Sequence, residues 1–112
     1  MSPRSPLPIQ WTESAWKNLD GVTDYLLAEG VGFVDVEDYL KRIFKAPEHL
    51  ATLPGAGKPG RVPNTREWLV KDTPYALIYR VLAGKVQILR VMHGIRQFQR
   101  NNKTYMETRD LL

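Results

Sequence analysis

YALIYRV (75–81) and VQILRVMH (86–93) are the two stretches that decide the fold of this 112-residue chain. Both are rich in β-branched and aromatic residues, and the four residues between them, LAGK (82–85), are typical of a tight turn. A stretch of similar character, REWLV (66–70), comes earlier and is separated from them by the turn-like KDTP (71–74). The sequence therefore predicts a three-stranded antiparallel meander in its second half.

Side chains alternate between the two faces of a strand, so the meander sorts its residues into two sets. The set expected to face the helices contains Tyr75, Leu77, Tyr79, Val81, Leu89 and Val91. The set expected on the uncovered face contains Ala76, Ile78, Arg80, Ile88, Arg90 and Met92. If Arg66 and Trp68 also lie on the uncovered face, three arginines and one tryptophan share a cationic surface. The alternative is that each arginine pairs with a nearby carboxylate, such as Glu67 or Asp72.

The first half of the chain has the period of helices. The short apolar run LPIQW (7–11) suits a first strand, and Thr12 behind it offers an N-cap. One apolar stripe then follows at Ala15, Leu19, Val22 and Leu26, and a second, after Gly30 and Gly32, at Val36, Leu40, Ile43 and Phe44. These stripes predict an antiparallel helical hairpin. Its face against the sheet is expected to include Trp16, Leu19, Leu26, Leu40, Ile43 and Phe44.

Two features are expected to end the hairpin. Pro47 has no backbone N–H, so the second helix is expected to kink or restart there. The apolar side of this helix is expected to be completed by His49, Leu50 and Leu53. The loop PGAGKPGR (54–61) does not have the Walker spacing of a phosphate-binding loop, and we interpret it as a mobile connection to the sheet. Its Lys58 and Arg61 are candidates for contact with an anion.

The composition is that of one globular domain. Hydrophobic residues make up 43% of the chain and charged residues 25%; the 16 Lys and Arg against 12 Asp and Glu fit nucleic acid, an acidic protein partner, or neither. No cysteine is present, which excludes disulfides, and His49 and His93 lack partners at metal spacing, so we expect no metal and no cofactor. We also expect no signal peptide or membrane span, and hence a cytoplasmic protein. A single domain (1–112) is expected, with its core at about 8–98 and tails at 1–6 and 99–112.

RVMHGIRQ (90–97) places three cationic or titratable side chains around one strand end. Arg90 is expected to brace a sheet face, and Arg96 to reach outward to a phosphate or an acidic protein surface. Two interpretations of His93 remain open. Regular alternation points its imidazole toward the core, whereas Gly94 directly after it allows the imidazole to sit at the strand end, where it suits proton transfer.

The order of these elements, and three segments in particular, resemble a known family. GRVPNTREWLV (60–70), TPYALIYRV (73–81) and VQILRVMHGIR (86–96) are similar to recurring phrases of the RelE/ParE superfamily of bacterial toxins, the toxic halves of type II toxin–antitoxin pairs. The resemblance covers about residues 8 to 98. It implies an α+β fold: an N-terminal strand, an antiparallel helical hairpin and a three-stranded meander forming one mostly antiparallel sheet, with the helices on one face.

The resemblance implies a toxin of a plasmid-stabilisation module that inhibits growth and has a cognate antitoxin. ParE-like members poison DNA gyrase, whereas RelE-like members cut mRNA on the ribosome. Glu67 and Leu69 stand where RelE-like members have a lysine pair, and Gly55, Ala56 and Gly57 stand where other nucleases of the superfamily have a glutamate. The long hairpin is also more ParE-like. These departures favour the gyrase inhibitor and leave the mRNA endoribonuclease as the alternative.

The resemblance also suggests residue roles. A nuclease would rely on His93, with Arg66 and Arg80. Contact with the target or with phosphate is expected from Lys58, Arg61, Arg66, Trp68, Arg90 and Arg96. A third hypothesis is a non-toxic nucleic-acid-binding module that uses the arginine face, for which Trp68 is the evident stacking residue.

Overall fold

A five-stranded sheet covered on one face by two helices forms the body of the protein; the computed structural model describes residues 5–93. In chain order the elements are β1 (Ile9–Trp11), α1 (Glu13–Ala28), α2 (Phe33–Thr52), β2 (Lys58–Pro59), β3 (Arg66–Leu69), β4 (Tyr75–Leu82) and β5 (Lys85–His93). The strand order is β1-β5-β4-β3-β2, with β1 parallel to β5 and the other pairs antiparallel. The α+β architecture and the meander are confirmed. The two-residue β2 was not predicted.

Local signals account for the start of α1. The Thr12 side chain accepts a hydrogen bond from the backbone N–H of Ala15 (3.2 Å), as an N-cap does, and Glu13 places a negative charge in the first turn. At the other end, Gly30 adopts a positive φ of 82°, which favours glycine and ends the helix. The hairpin therefore starts and turns where the sequence predicted.

The second helix differs from its prediction. It continues through Pro47 to Thr52 as one element, so the restart at Pro47 does not occur, and Leu53 lies beyond the helix with more than half of its surface exposed. Pro47 is fully buried, and its ring therefore contributes to the core. Neither α1 nor α2 has the length and apolarity that a membrane-crossing helix requires, within the part of the chain that the structure describes.

The core lies between the hairpin and the covered face of the sheet. Ile43 and Leu50 of α2 and Tyr79 of β4 have no exposed surface. The buried cluster consists of Ala15, Leu19, Val22, Leu26, Val36, Ile43, Leu50, Val70, Tyr75, Leu77, Tyr79, Val86, Ile88 and Val91. The apolar stripes of the helices thus pack against the apolar face of the sheet, and this burial is the main source of stability in a small domain.

A β-bulge in β5 changes which residues face the core. Tyr79 pairs with Ile88 and Ile78 with Arg90, so Leu89 is the extra residue. Ile88 is therefore fully buried, and the prediction that it lies on the uncovered face is wrong. The start of α1 supports the bulge: the Thr12 hydroxyl donates to the Ile88 carbonyl (2.8 Å), and the Asn18 side chain accepts from the Val91 N–H (3.0 Å).

Candidate functional site

The sheet divides the predicted cationic residues between its two faces. Arg66 pairs across the ladder with the buried Tyr79, and Trp68 pairs with the buried Leu77, so both lie on the face that carries the helices. Arg80 lies on the opposite face, as does Arg90. The predicted convergence of Arg66 and Trp68 with these two arginines is therefore wrong, because β3 places its arginine and tryptophan in register with core positions of β4.

The face without helices, called here the open sheet face, combines cationic and aliphatic side chains. Register and alternation assign to it Gln10, Lys58, Glu67, Leu69, Ala76, Ile78, Arg80, Leu82, Lys85, Gln87, Arg90 and Met92. Leu69 is 62% exposed, and Arg90, opposite Ile78, is also exposed. Within residues 5–93 the structure gives Arg90 no ion pair. This face thus offers cations and apolar surface together.

One hydrogen-bonded chain crosses three strands of the open sheet face. The Arg80 Nε donates to Gln87 Oε1 at 2.7 Å, and the Gln87 Nε2 donates to Gln10 Oε1 at 2.7 Å. These residues lie side by side on β4, β5 and β1, because Arg80 is in register with Gln87 and Gln87 with Gln10. The guanidinium of Arg80 is therefore held in one orientation by amides and not by a carboxylate.

Near β2, the residues predicted to contact phosphate lie close to the carboxylate of Glu67. The Arg61 Nε lies 4.0 Å from Glu67 Oε2, and the Arg61 backbone N–H donates to the same oxygen at 3.4 Å. Lys58 is exposed and stands opposite Glu67 in the β2–β3 ladder. The carboxylate of Glu67 thus offsets part of the positive charge at this edge. Arg96 lies outside the described residues.

On the helix side, Tyr79 and Arg66 hold the loop between α2 and β2. The Tyr79 hydroxyl donates to the Pro54 carbonyl (2.7 Å) and accepts from the Gly57 N–H (2.9 Å), and Arg66 Nη1 donates to the Gly57 carbonyl (2.8 Å). The loop that we interpreted as a mobile connection is thus attached to the sheet by three hydrogen bonds. Burial raises the pKa of the Tyr79 phenol above its ordinary value of 10.0, although the Gly57 hydrogen bond and the charge of Arg66 act in the opposite direction.

Replacing Tyr79 with phenylalanine should lower the free energy of unfolding by about 1 kcal/mol, since the buried Gly57 N–H loses its acceptor. Because the folded-state pKa of Tyr79 is raised, its protonated form stabilises the fold below pH 10, and this contribution is lost as the pH rises through the folded-state pKa. Urea unfolding between pH 8 and 11 measures both effects. An equal alkaline loss of stability in the phenylalanine variant would assign the loss to other groups.

Both imidazoles lie on the helix side of the sheet. His93 is half-buried opposite Tyr75, and their rings meet edge to face with centroids 5.4 Å apart. His49, in the last turn of α2, lies against Trp68, with the centroids of the two rings 5.0 Å apart. The open question about His93 is therefore answered: its ring faces the covered side, away from Arg80 and Arg90.

The outer side of the hairpin exposes an aromatic cluster formed by Trp11, Trp16 and Phe44. The Trp11 ring stacks on the Trp16 ring, with their centroids 5.2 Å apart, and on the Phe44 ring, with their centroids 5.6 Å apart. Trp16 is 45% exposed and Phe44 54% exposed, so their predicted burial against the sheet is wrong. Beside them, α1 and α2 form an open groove of about 390 Å³ with Leu19 and Leu40 in its lining. This surface was not predicted from the sequence, because Trp16 and Phe44 were expected to pack against the sheet.

Comparison with known proteins finds similarity to toxins of toxin–antitoxin systems. A family model described as "ParE toxin of type II toxin-antitoxin system, parDE" matches residues 9–98. The Sinorhizobium fredii protein "Putative toxin Y4kP" is 36% identical over 90 residues, covering 80% of this chain and 91% of that protein.

Two solved structures are also similar to this chain. The chromosomal ParDE toxin–antitoxin system of P. aeruginosa contains a chain that is 26% identical, with a TM-score of 0.71 and coverage of 78% of this chain and 95% of that one. A chain of the RelBE2 toxin–antitoxin complex of Mycobacterium tuberculosis is 26% identical, with a TM-score of 0.52 and coverage of 80% and 99%. The match of the family model over most of the chain, together with the shared fold, makes this protein a member of the ParE toxin family within the RelE/ParE superfamily.

Proposed function

We propose that this toxin stops bacterial growth by inhibiting DNA gyrase, and that a cognate antitoxin silences it in a plasmid-stabilisation module. Gyrase is the target that the resemblance to ParE-like toxins implies. The ParE family match and the likeness to the ParDE toxin support this assignment over the RelE-like alternative. We expect the protein to act in the cytoplasm, where gyrase is found.

The observation that carries the proposal is that both imidazoles lie apart from Arg80 and Arg90. Arg66 shares the side of the imidazoles, but its guanidinium is bound to the Gly57 carbonyl. Cleavage of RNA by acid–base catalysis requires a titratable side chain within hydrogen-bond reach of the phosphate that the cations hold. Arg80 and Arg90 lie on the open sheet face, whereas the imidazoles of His49 and His93 contact Trp68 and Tyr75 on the other side. This arrangement suits binding to a macromolecule and not phosphodiester cleavage.

The aromatic cluster and its groove are the surface that we assign to the antitoxin. Trp16 and Phe44 expose apolar rings beside a groove whose rim carries both charges, with Asp20 on α1 and Lys45 on α2. An amphipathic helix from a partner recognises such a groove through apolar side chains spaced by one turn, and its charged residues meet the rim. Antitoxin segments that fold on binding are suited to this role.

The test is a supercoiling assay. Relaxed plasmid is incubated with purified gyrase and ATP, with and without the toxin, and transcripts from induced cells are mapped by primer extension. We expect the toxin to block supercoiling, to leave transcripts uncut, and to lose both its growth inhibition and its gyrase effect when the small protein encoded beside it is supplied. His93→Gln should remain toxic, because the imidazole is not part of the proposed surface.

Two results would contradict the proposal. Ribosome-dependent cleavage of transcripts with normal supercoiling, abolished by His93→Gln, would establish the RelE-like alternative. A chain that leaves growth unchanged but binds oligonucleotides would establish the non-toxic binding module.

A further inference from the structure

We infer that Gln87 and Gln10 are positioning residues that present Arg80 to a carboxylate on an acidic protein surface, so that the open sheet face is the surface that meets the toxin's target. The inference rests on the proposed function in one respect: the target is a protein. It adds which face engages that target, which side chain makes the anchoring contact, and which two residues prepare it.

The chemistry of the hydrogen-bonded chain supports this role. Gln87 uses its amide oxygen for Arg80 and its amide nitrogen for Gln10, so turning the amide over would lose both hydrogen bonds. Arg80 in turn uses Nε for Gln87. Its two terminal amino groups remain for a ligand, and within residues 5–93 Arg80 has no carboxylate partner. A guanidinium held in this way is suited to a bidentate contact with a carboxylate at a low entropic cost.

The surroundings of Arg80 indicate a protein and not a nucleic acid. Arg90 lies on the same face of the neighbouring strand β5. It stands opposite Ile78, which comes two residues before Arg80 on β4, and it adds a second cation. The same face carries the exposed Leu69 and the partly exposed Ile78 and Met92, whereas within the described strands it carries no aromatic ring. Single-stranded nucleic acids are bound by stacking on aromatic rings, while arginine beside aliphatic surface is typical of protein interfaces. Trp68, the candidate stacking residue, is on the other side of the sheet.

The experiment measures how the purified toxin binds gyrase, by biolayer interferometry at several salt concentrations, together with growth inhibition in cells. Arg80→Ala is expected to weaken binding by about tenfold or more. Arg80→Lys should retain only part of the wild-type affinity, because lysine keeps the positive charge but cannot make the bidentate contact of a guanidinium. Gln87→Leu should weaken binding by about three- to tenfold. The double variant Arg80→Ala, Gln87→Leu should bind no more weakly than Arg80→Ala alone, since a positioning residue acts only through the residue that it positions.

Two further variants separate positioning from simple loss of stability. Gln87→Glu keeps the side-chain size but supplies a carboxylate that occupies Arg80, so it should abolish binding while the thermal midpoint stays unchanged or rises. Lys71→Ala is the matched control, because it removes one positive charge from the exposed β3–β4 turn away from the open sheet face. It should bind and inhibit as the wild type does.

The outcomes distinguish this inference from the proposed function. A toxin that stops growth without affecting gyrase would overturn the gyrase assignment, and the same variants scored by growth would still test the open sheet face. Full toxicity in Arg80→Ala, or equal weakening by Gln87→Leu with and without Arg80, would overturn the inference. So would Arg80-dependent binding of a fluorescent 20-nucleotide DNA or RNA that exceeds binding of the protein target.

Discussion

Replacement of Ile43 by alanine is expected to lower the free energy of unfolding by about 2 to 5 kcal/mol, the usual cost of removing a large aliphatic side chain from a filled core. Ile43 has no exposed surface and belongs to the cluster that joins α2 to the sheet. The fold of a domain of this size is stabilised by about 5 to 15 kcal/mol in total, so the variant should be close to unfolding at 37 °C. Urea denaturation followed by circular dichroism measures the change.

The neighbouring residue provides the control. Phe44 is 54% exposed and gains stability mainly from its contacts with Trp11 and Trp16, so Phe44→Ala should cost about 1 kcal/mol. If the two substitutions had equal effects, the assignment of the inner and outer faces of α2 would be wrong. Binding of the antitoxin should show the opposite order, with Phe44→Ala the more damaging of the two.

Gly57→Ala is expected to destabilise the protein by about 2 to 3 kcal/mol, the upper part of the range for overpacking a tight site. A Cβ at this position would lie 2.6 Å from the Tyr79 hydroxyl oxygen and 2.9 Å from the Glu67 backbone carbonyl oxygen. The backbone of β3 cannot move away cheaply because it is paired with β4, so the loop and its hydrogen bond to Tyr79 must shift. Thermal unfolding measures the loss.

Gly55→Ala, two residues earlier in the same loop, is the matched control for this prediction. A Cβ there would meet no atom within 4 Å, so the variant should unfold at nearly the wild-type temperature. Similar losses in both variants would show that the loop as a whole resists substitution, and that the close approach of Gly57 to Tyr79 is not the cause.

Periodicity was sufficient to predict the main elements. The spacing of Ala15, Leu19, Val22 and Leu26 and the alternation in 75–81 are local properties. The helical stripe is buried as expected, and so are Tyr75, Leu77 and Tyr79, whereas Val81, predicted to face the helices, is 46% exposed. The bulge at Leu89 could not be predicted from the local sequence, because it is stabilised by Thr12 and Asn18, more than 70 residues away. The two-residue β2 has no periodic signal at all.

The candidate site was predicted less well than the fold. Arg80 and Arg90 were assigned correctly to the uncovered face, but Arg66 was not, because its face depends on how β3 is registered against β4. The partnership of Arg80 with Gln87 also requires the register of two strands. Both helices carry more than one apolar stripe, and only the packed structure distinguishes Leu19 and Ile43, which are buried, from Trp16 and Phe44, which are exposed.

The pairing of β1 with β5 has a consequence for the synthesis of this toxin. Ile9 of β1 pairs with Val86 of β5, so β1 has no partner strand until β5 has been translated. The helices emerge earlier, but the sheet strand that they contact most is also β5. Domains generally fold as units during translation. A nascent chain therefore cannot complete the sheet until β5 has been translated, and one terminated before β5 never gains the strand that carries Gln87 and Arg90.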